Sequence, residues 1–245
     1  MTNPVVVEAT RGKWIESAHR GAGAVVDADG RVVLAFGDAE RPVYPRSAVK
    51  ALQALPLVAS GSADRLGLSD KEIALSCASH SGSEDHVAAA RAMLAKAGFD
   101  ERVLECGVHW PLGEDEARAL ARSGRTPTAL HNNCSGKHAG FVCLACEMGV
   151  APKGYVAPDH PVQREVTAAI EATTGARLSE EVRGVDGCAI PTYAMPLIAL
   201  ARGFARLGTG QGLSLERRNA AARIRASVAA HPATGALRFP AAARE

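Results

Sequence analysis

The sequence predicts an α+β fold in which antiparallel strands open the chain and a long helical region follows. Runs of β-branched residues in the first 40 positions flank an Asp-Gly turn. After Pro45 the apolar residues recur at helical spacing. The two kinds of segment are segregated, which argues against the alternating βαβ units of a parallel sheet. At 245 residues the chain is long enough to fold around its own core without disulfides. The expected organisation is a single domain over residues 1–245.

Residues 4–10, with Val5, Val6 and Val7, read as the first strand. Residues 23–27 and 31–36 flank Asp27-Ala28-Asp29-Gly30 and read as a hairpin. Residues 47–60 carry Val49, Leu52, Leu55 and Leu57 at helical spacing, with Pro56 an end or a kink. Ser69-Asp70-Lys71-Glu72 has the spacing of a capping box and starts a short helix through Cys77. Ser83 caps a helix to Lys96 that Gly98 stops. Further helices are expected over residues 114–122, 135–148, 161–173, 193–206 and 215–229. A two- or three-stranded opening sheet needs further strands to cover its edges, and the sequence near its end offers none.

Composition narrows the partners. Lys and Arg (28) nearly balance Asp and Glu (26), leaving +2, so no general electrostatic pull toward nucleic acid or acidic lipid is expected. With 2 Trp, 3 Tyr and 5 Phe there is little material for base-stacking platforms. The longest apolar stretch, residues 188–201, is too short for a membrane span and contains Pro191 and Pro196. Residues 1–7 lack the basic and apolar regions of a secretory signal, so the expectation is a cytoplasmic protein with six reduced cysteines. Cys143-Leu144-Ala145-Cys146 lies in an apolar helical run and reads as packing. His86, His109 and His160 read as isolated residues on surfaces or at helix starts. Arg217, Arg218, Arg223 and Arg225 read as a solvated or interface face.

Four stretches could carry chemistry. In Ser47-Ala48-Val49-Lys50 the hydroxyl and the amine share one helical face. A deprotonated Lys50 would activate Ser47 as a nucleophile, whereas the plain alternative is a capping serine and a solvated lysine. Cys77-Ala78-Ser79-His80-Ser81-Gly82 is a hydroxyl-rich turn that could pass a proton, or simply cap the next helix. In His131-Asn132-Asn133-Cys134-Ser135-Gly136-Lys137-His138 a thiol, an amine and an imidazole gather at a helix start, where a thiolate is favoured. Val185-Asp186-Gly187-Cys188 adds a thiol and a carboxylate. Two thiolates and a nitrogen donor could hold zinc with a fourth position open, although the spacing is not that of a zinc finger.

Taken in this order, Arg46-Ser47-Ala48-Val49-Lys50, Cys77-Ala78-Ser79-His80-Ser81-Gly82, Asn132 to His138 and Val185 to Cys188 resemble the Rhizobium-type, thermolabile L-asparaginases of the asparaginase II family. The resemblance runs from Val5 to about His231. It implies a β-lactamase-like architecture, an antiparallel sheet beside a helical region, and hydrolysis of the side-chain amide of L-asparagine to aspartate and ammonia. It implies Ser47 as nucleophile, Lys50 as its base and Ser79 in a second Ser–Lys tandem. It further implies zinc held by Cys134, Lys137 and Cys188, a substrate pocket lined by Arg46, His138 and Asp186, and a homodimer.

The family chain continues through a Lys-Thr-Gly-like segment and the last strands of the sheet, which residues 237–245 do not match. The expectation is therefore a domain incomplete at its C-terminus, with weak or no activity. Two other readings share some of these residues: a penicillin-recognising serine acyl-hydrolase, which uses Ser47 and Lys50 but not the cysteines, and a non-catalytic fragment of the asparaginase.

Overall fold

The computed structural model describes residues 2–235. Four antiparallel pairs of strands form: β1 (Val5–Arg11) with β2 (Trp14–Arg20), β3 (Gly23–Val26) with β4 (Val32–Phe36), β5 (Pro42–Val43) with β8 (Met195–Pro196), and β6 (Arg183–Val185) with β7 (Pro191–Tyr193). The expected hairpin is β3–β4, in which Asp27 Oδ1 accepts the Arg31 N–H at 2.8 Å. Gly30 takes a φ of +87° there, a conformation open to glycine at little cost. Every residue of β1 and β2 is exposed, Trp14 and Ile15 included.

The helices are α1 (Lys50–Gln53), α2 (Leu55–Ala59), α3 (Ser62–Arg65), α4 (Asp70–Ser76), α5 (Glu84–Lys96), α6 (Glu114–Arg122), α7 (Ser135–Glu147), α8 (Pro161–Thr174), α9 (Leu197–Thr209), α10 (Leu215–Ala230) and α11 (Pro232–Gly235). The mixture is α+β, as the sequence predicts. The expected helix over residues 47–60 is instead a 3-10 turn (Arg46–Val49) followed by α1 and α2. Pro56 opens α2 at its N-terminus, where a missing N–H is harmless. The expected helix at 193 begins four residues later. Pro196 biases Met195 toward extended backbone, and β7 and β8 occupy the interval. The non-matching ending at residues 237–245 lies outside the described residues.

The core is built around α7, in which every residue from Ser135 to Ala145 is buried. Helices α2, α3, α4, α5 and α8 pack around it. Gly136 and Gly140 let two neighbours approach closely: a Cβ at Gly136 would lie 2.6 Å from Leu75 O, and one at Gly140 would lie 3.3 Å from Ser76 Cβ. The Ser69–Glu72 capping box forms as its spacing predicts, and Lys96 at the end of α5 reaches Glu72 at 2.6 Å. Half of that box thus ties α4 to α5. Arginines of α10 hold the chain to itself: Arg217 faces Glu165 at 3.6 Å, Arg223 pairs with Asp64, and Arg225 donates to Leu207 O at 2.5 Å. No described helix is long and apolar enough to cross a membrane.

Candidate active site

Four turns separated in sequence meet at the start of α7. Ser47 sits in the 3-10 turn, exposed, and donates its hydroxyl hydrogen to Ser79 Oγ at 3.1 Å. The residue before it, Arg46, holds a φ of +51°. A non-glycine residue there carries strain of about 1–3 kcal/mol, which the surrounding contacts must offset. One such contact is the approach of Arg46 Nη2 to Asp186 Oδ1 at 3.3 Å. Ala189, just past Cys188, also has a positive φ, +74°. Strained backbone thus flanks both ends of the Arg46–Asp186 pair.

Lys50, one turn after Ser47, is 2 % exposed, and its Nζ donates to Ala78 O at 2.7 Å. Burial lowers its pKa below the usual lysine range, opposed by the charge of Cys134 and assisted by that of Lys137. The Ala78 carbonyl fixes the amine beneath the turn that carries Ser79. The turn itself is locked to the start of α7: His80 N–H donates to Asn133 O at 3.1 Å, and the Asn133 carboxamide is hydrogen-bonded to Ser79 Oγ at 2.7 Å. Gly82 holds a φ of +86° with Pro111 Cβ 2.9 Å from where its own Cβ would be, so the turn closes only with glycine there.

Cys134 is the N-cap residue of α7, and Lys137 and His138 lie in its first turn. Lys137 Nζ donates to Cys188 Sγ at 3.0 Å. The Cys134 thiol is held down to about 5, first by a hydrogen bond from Cys188, then by the nearby Lys137 and Lys50 charges against the opposing effect of burial. The same hydrogen bond, with burial, pushes the Cys188 thiol up. The pair is thus set to lose one proton more readily than a lone buried thiol, at a helix N-terminus and beside the Lys137 amine. Burial pushes Cys77 and Cys106 up to about 12, which leaves them inert thiols. All six cysteines are free.

His138 is fully buried, with Nδ1 2.6 Å from the Tyr155 hydroxyl. That hydroxyl also accepts the Glu105 N–H at 2.9 Å. Nε2 has no hydrogen-bond partner among the described residues, and burial keeps the ring neutral. No group of three His, Cys, Asp or Glu placed to hold a metal occurs among the described residues. What gathers here is a mixed set, two sulfurs and the Lys137 amine.

Asn133 lies in a stretch singled out for its thiol and amine, and His109 is expected on a surface or at a helix start. His109 is half-buried, with Nδ1 2.6 Å from Trp110 O and Nε2 3.2 Å from Asn133 Oδ1. His86 lies at a helix start, as expected, but buried: it is the third residue of α5, and its Nδ1 accepts the Ser83 N–H. The family model of L-asparaginase II matches residues 7–237. No curated protein matches the chain. A match over nearly the whole sequence, with the serine, lysine and cysteine turns gathered at one helix start, places this chain in the L-asparaginase II family.

Proposed function

We propose that the chain hydrolyses the side-chain amide of L-asparagine through a covalent serine intermediate, on a β-lactamase-like architecture. Membership of the family supports a hydrolase acting on asparagine. The observation that carries the finer reading is the Ser47–Ser79 hydrogen bond at 3.1 Å above a buried, charge-disfavoured Lys50. A hydroxyl becomes nucleophilic when its hydrogen has somewhere to go, and Ser79 Oγ is the group that receives it here.

Ser47 Oγ attacks the amide carbon and gives up its hydrogen toward Ser79. The C–N bond breaks, the leaving nitrogen takes a proton and departs as ammonia, and an ester links the aspartyl group to Ser47. Water then cleaves the ester, giving aspartate and restoring the Ser47 hydroxyl. Lys50 carries its proton reluctantly because of burial, so it serves as the base beneath the two serines. Asp186 holds the α-ammonium group of the substrate and Arg46 its α-carboxylate, opening the 3.3 Å pair between them.

Cys134, Lys137 and Cys188 fit zinc by the chemistry of the donor set. A thiolate already favoured on Cys134, a sulfur on Cys188 and an amine within 3.0 Å of it supply three ligands with one position open. Bound there, zinc would polarise an oxygen of the substrate and fix its orientation. The expected assembly is a homodimer in the cytoplasm. Ser47→Ala, made in a version extended through the Lys-Thr-Gly-like segment, tests the nucleophile: ammonia release from L-asparagine is expected to vanish with the fold intact, and retained turnover in a folded variant rejects the assignment.

A further inference from the structure

The hydroxyl of Ser79 can face Ser47 in two ways. With a lone pair toward Ser47 it receives the nucleophile's hydrogen. With its own hydrogen toward Ser47 Oγ it occupies the nucleophilic lone pair and blocks attack. A serine hydroxyl rotates freely unless a neighbour fixes it, and the neighbour here is Asn133, whose carboxamide nitrogen lies 2.7 Å from Ser79 Oγ.

Asn133 is itself gripped. Trp110 O, a carbonyl that can only accept, lies 2.6 Å from His109 Nδ1, so that nitrogen carries a hydrogen. His109 Nε2 then meets Asn133 twice, its backbone N–H at 3.1 Å and its Oδ1 at 3.2 Å. When Nε2 carries a hydrogen it donates to Oδ1, and Nδ2 donates to Ser79. When Nε2 is bare it accepts the Asn133 N–H, the carboxamide presents its NH2 edge to the ring, and Ser79 donates to the carboxamide oxygen. In the first arrangement the Ser79 hydrogen stays free to point at Ser47; in the second it is spent on the carboxamide, and the Asn133 N–H directed at Nε2, with the ring hydrogen on Nδ1, selects that second arrangement.

We propose that His109 and Asn133 are positioning residues that keep Ser79 an acceptor for the Ser47 proton, His109 acting through Asn133. The proposal rests on the serine acyl-transfer reading, and its test separates the two. A fluorophosphonate probe reacts with Ser47 Oγ by displacing fluoride and needs no asparagine. Its rate of attachment to Ser47 is followed by intact-mass and peptide mass spectrometry, beside ammonia release from L-asparagine. A glutamine at 109 extends to the place of Nε2 and can present an oxygen or an NH2 group, whereas an asparagine stops short.

His109→Gln is expected to keep the labelling rate within about threefold, and His109→Asn and Asn133→Ala to slow it by about tenfold or more. Urea midpoints of the two His109 variants are expected to agree. Equal labelling of those variants overturns the proposal, as does absence of Ser47 labelling in the unsubstituted protein. Labelling that separates them without any ammonia release supports the positioning pair and rejects the amide substrate. Ammonia release without separation does the reverse.

Discussion

His80 sits between two residues of the serine turn and should make the fold sensitive to acid. Its side chain is fully buried, and its Nε2 lies 2.9 Å from Ser135 Oγ. The Ser135 hydroxyl spends its own hydrogen on Leu130 O at 2.8 Å, so it accepts from His80, and Nε2 carries the ring proton. Nδ1 is left bare and has no partner among the described residues. A second proton would therefore enter a site with nothing to receive it, and the stacked ring of His86, 4.9 Å away, adds a like charge if it too protonates. Burial is the larger cause and His86 the next, and together they hold the His80 pKa well below the ordinary value.

The sign follows from linkage. The folded imidazole resists protonation, while the unfolded one titrates near the ordinary value of about 6.5. The unfolded chain thus binds more protons as pH falls, and stability drops through and below that value. A ring that stays neutral in the fold costs about 1.4 kcal/mol at pH 5.5 relative to pH 7.5. His80→Gln removes the titration and keeps an N–H for Ser135. Urea unfolding of both proteins at the two pH values measures the effect. The unsubstituted protein is expected to lose about 1.4 kcal/mol more than the variant on acidification. An equal loss in both would refute the argument that the buried turn keeps His80 neutral.

Gly136→Ala places a methyl group 2.6 Å from the Leu75 carbonyl, backbone that cannot rotate away. The expected loss is about 1–3 kcal/mol by urea unfolding, with diminished Ser47 labelling as the start of α7 shifts. Glu72→Gln removes the charge facing Lys96 from a buried side chain and weakens the Ser69 cap, an expected loss of about 1–3 kcal/mol read the same way. Elemental analysis is expected to find zinc in the purified protein, and Cys188→Ala to abolish it. Chelator treatment is expected to lower the urea midpoint of the unsubstituted protein and leave that of Cys188→Ala unchanged.

Elements whose stability is local were legible. The Ser69 capping box, the Ser83 cap, the Gly98 stop and the bounds of α6 all follow from residues within a few positions of each other. What the sequence hid depends on partners far along the chain. Residues 191–193 and 195–196 are strands because β6 and β5 lie beside them, and residues 47–60 break into short turns where the chain must present Ser47 to Ser79. Reading 193–206 as one helix followed its apolar spacing and underweighted Pro196. His109 has no local signal at all, since its role depends on Asn133, 24 residues away in sequence.

The serine, lysine and cysteine motifs were each ambiguous as strings because their chemistry is conferred by burial, which a short string does not encode. A solvated Lys50 would keep its proton, and a solvated Cys134 would remain mostly a thiol at neutral pH. The first is changed by loss of water and the second by Cys188, Lys137 and Lys50 together. Both perturbations trace to α7: its N-terminal turn brings Cys134 and Lys137 together, and its full burial against α4 depends on Gly136 meeting Leu75 without a side chain. The plain reading of Ser47 and Lys50, a capping serine and a solvated lysine, fails on the second residue. That lysine is 2 % exposed, and its amine is bonded to the carbonyl just before Ser79. A structural lysine at that depth would be paired with a carboxylate. The acidic group beside Lys50 is instead the Cys134 thiol, whose pKa Cys188, Lys137 and Lys50 draw down together, so the two perturbed groups face each other across the start of α7.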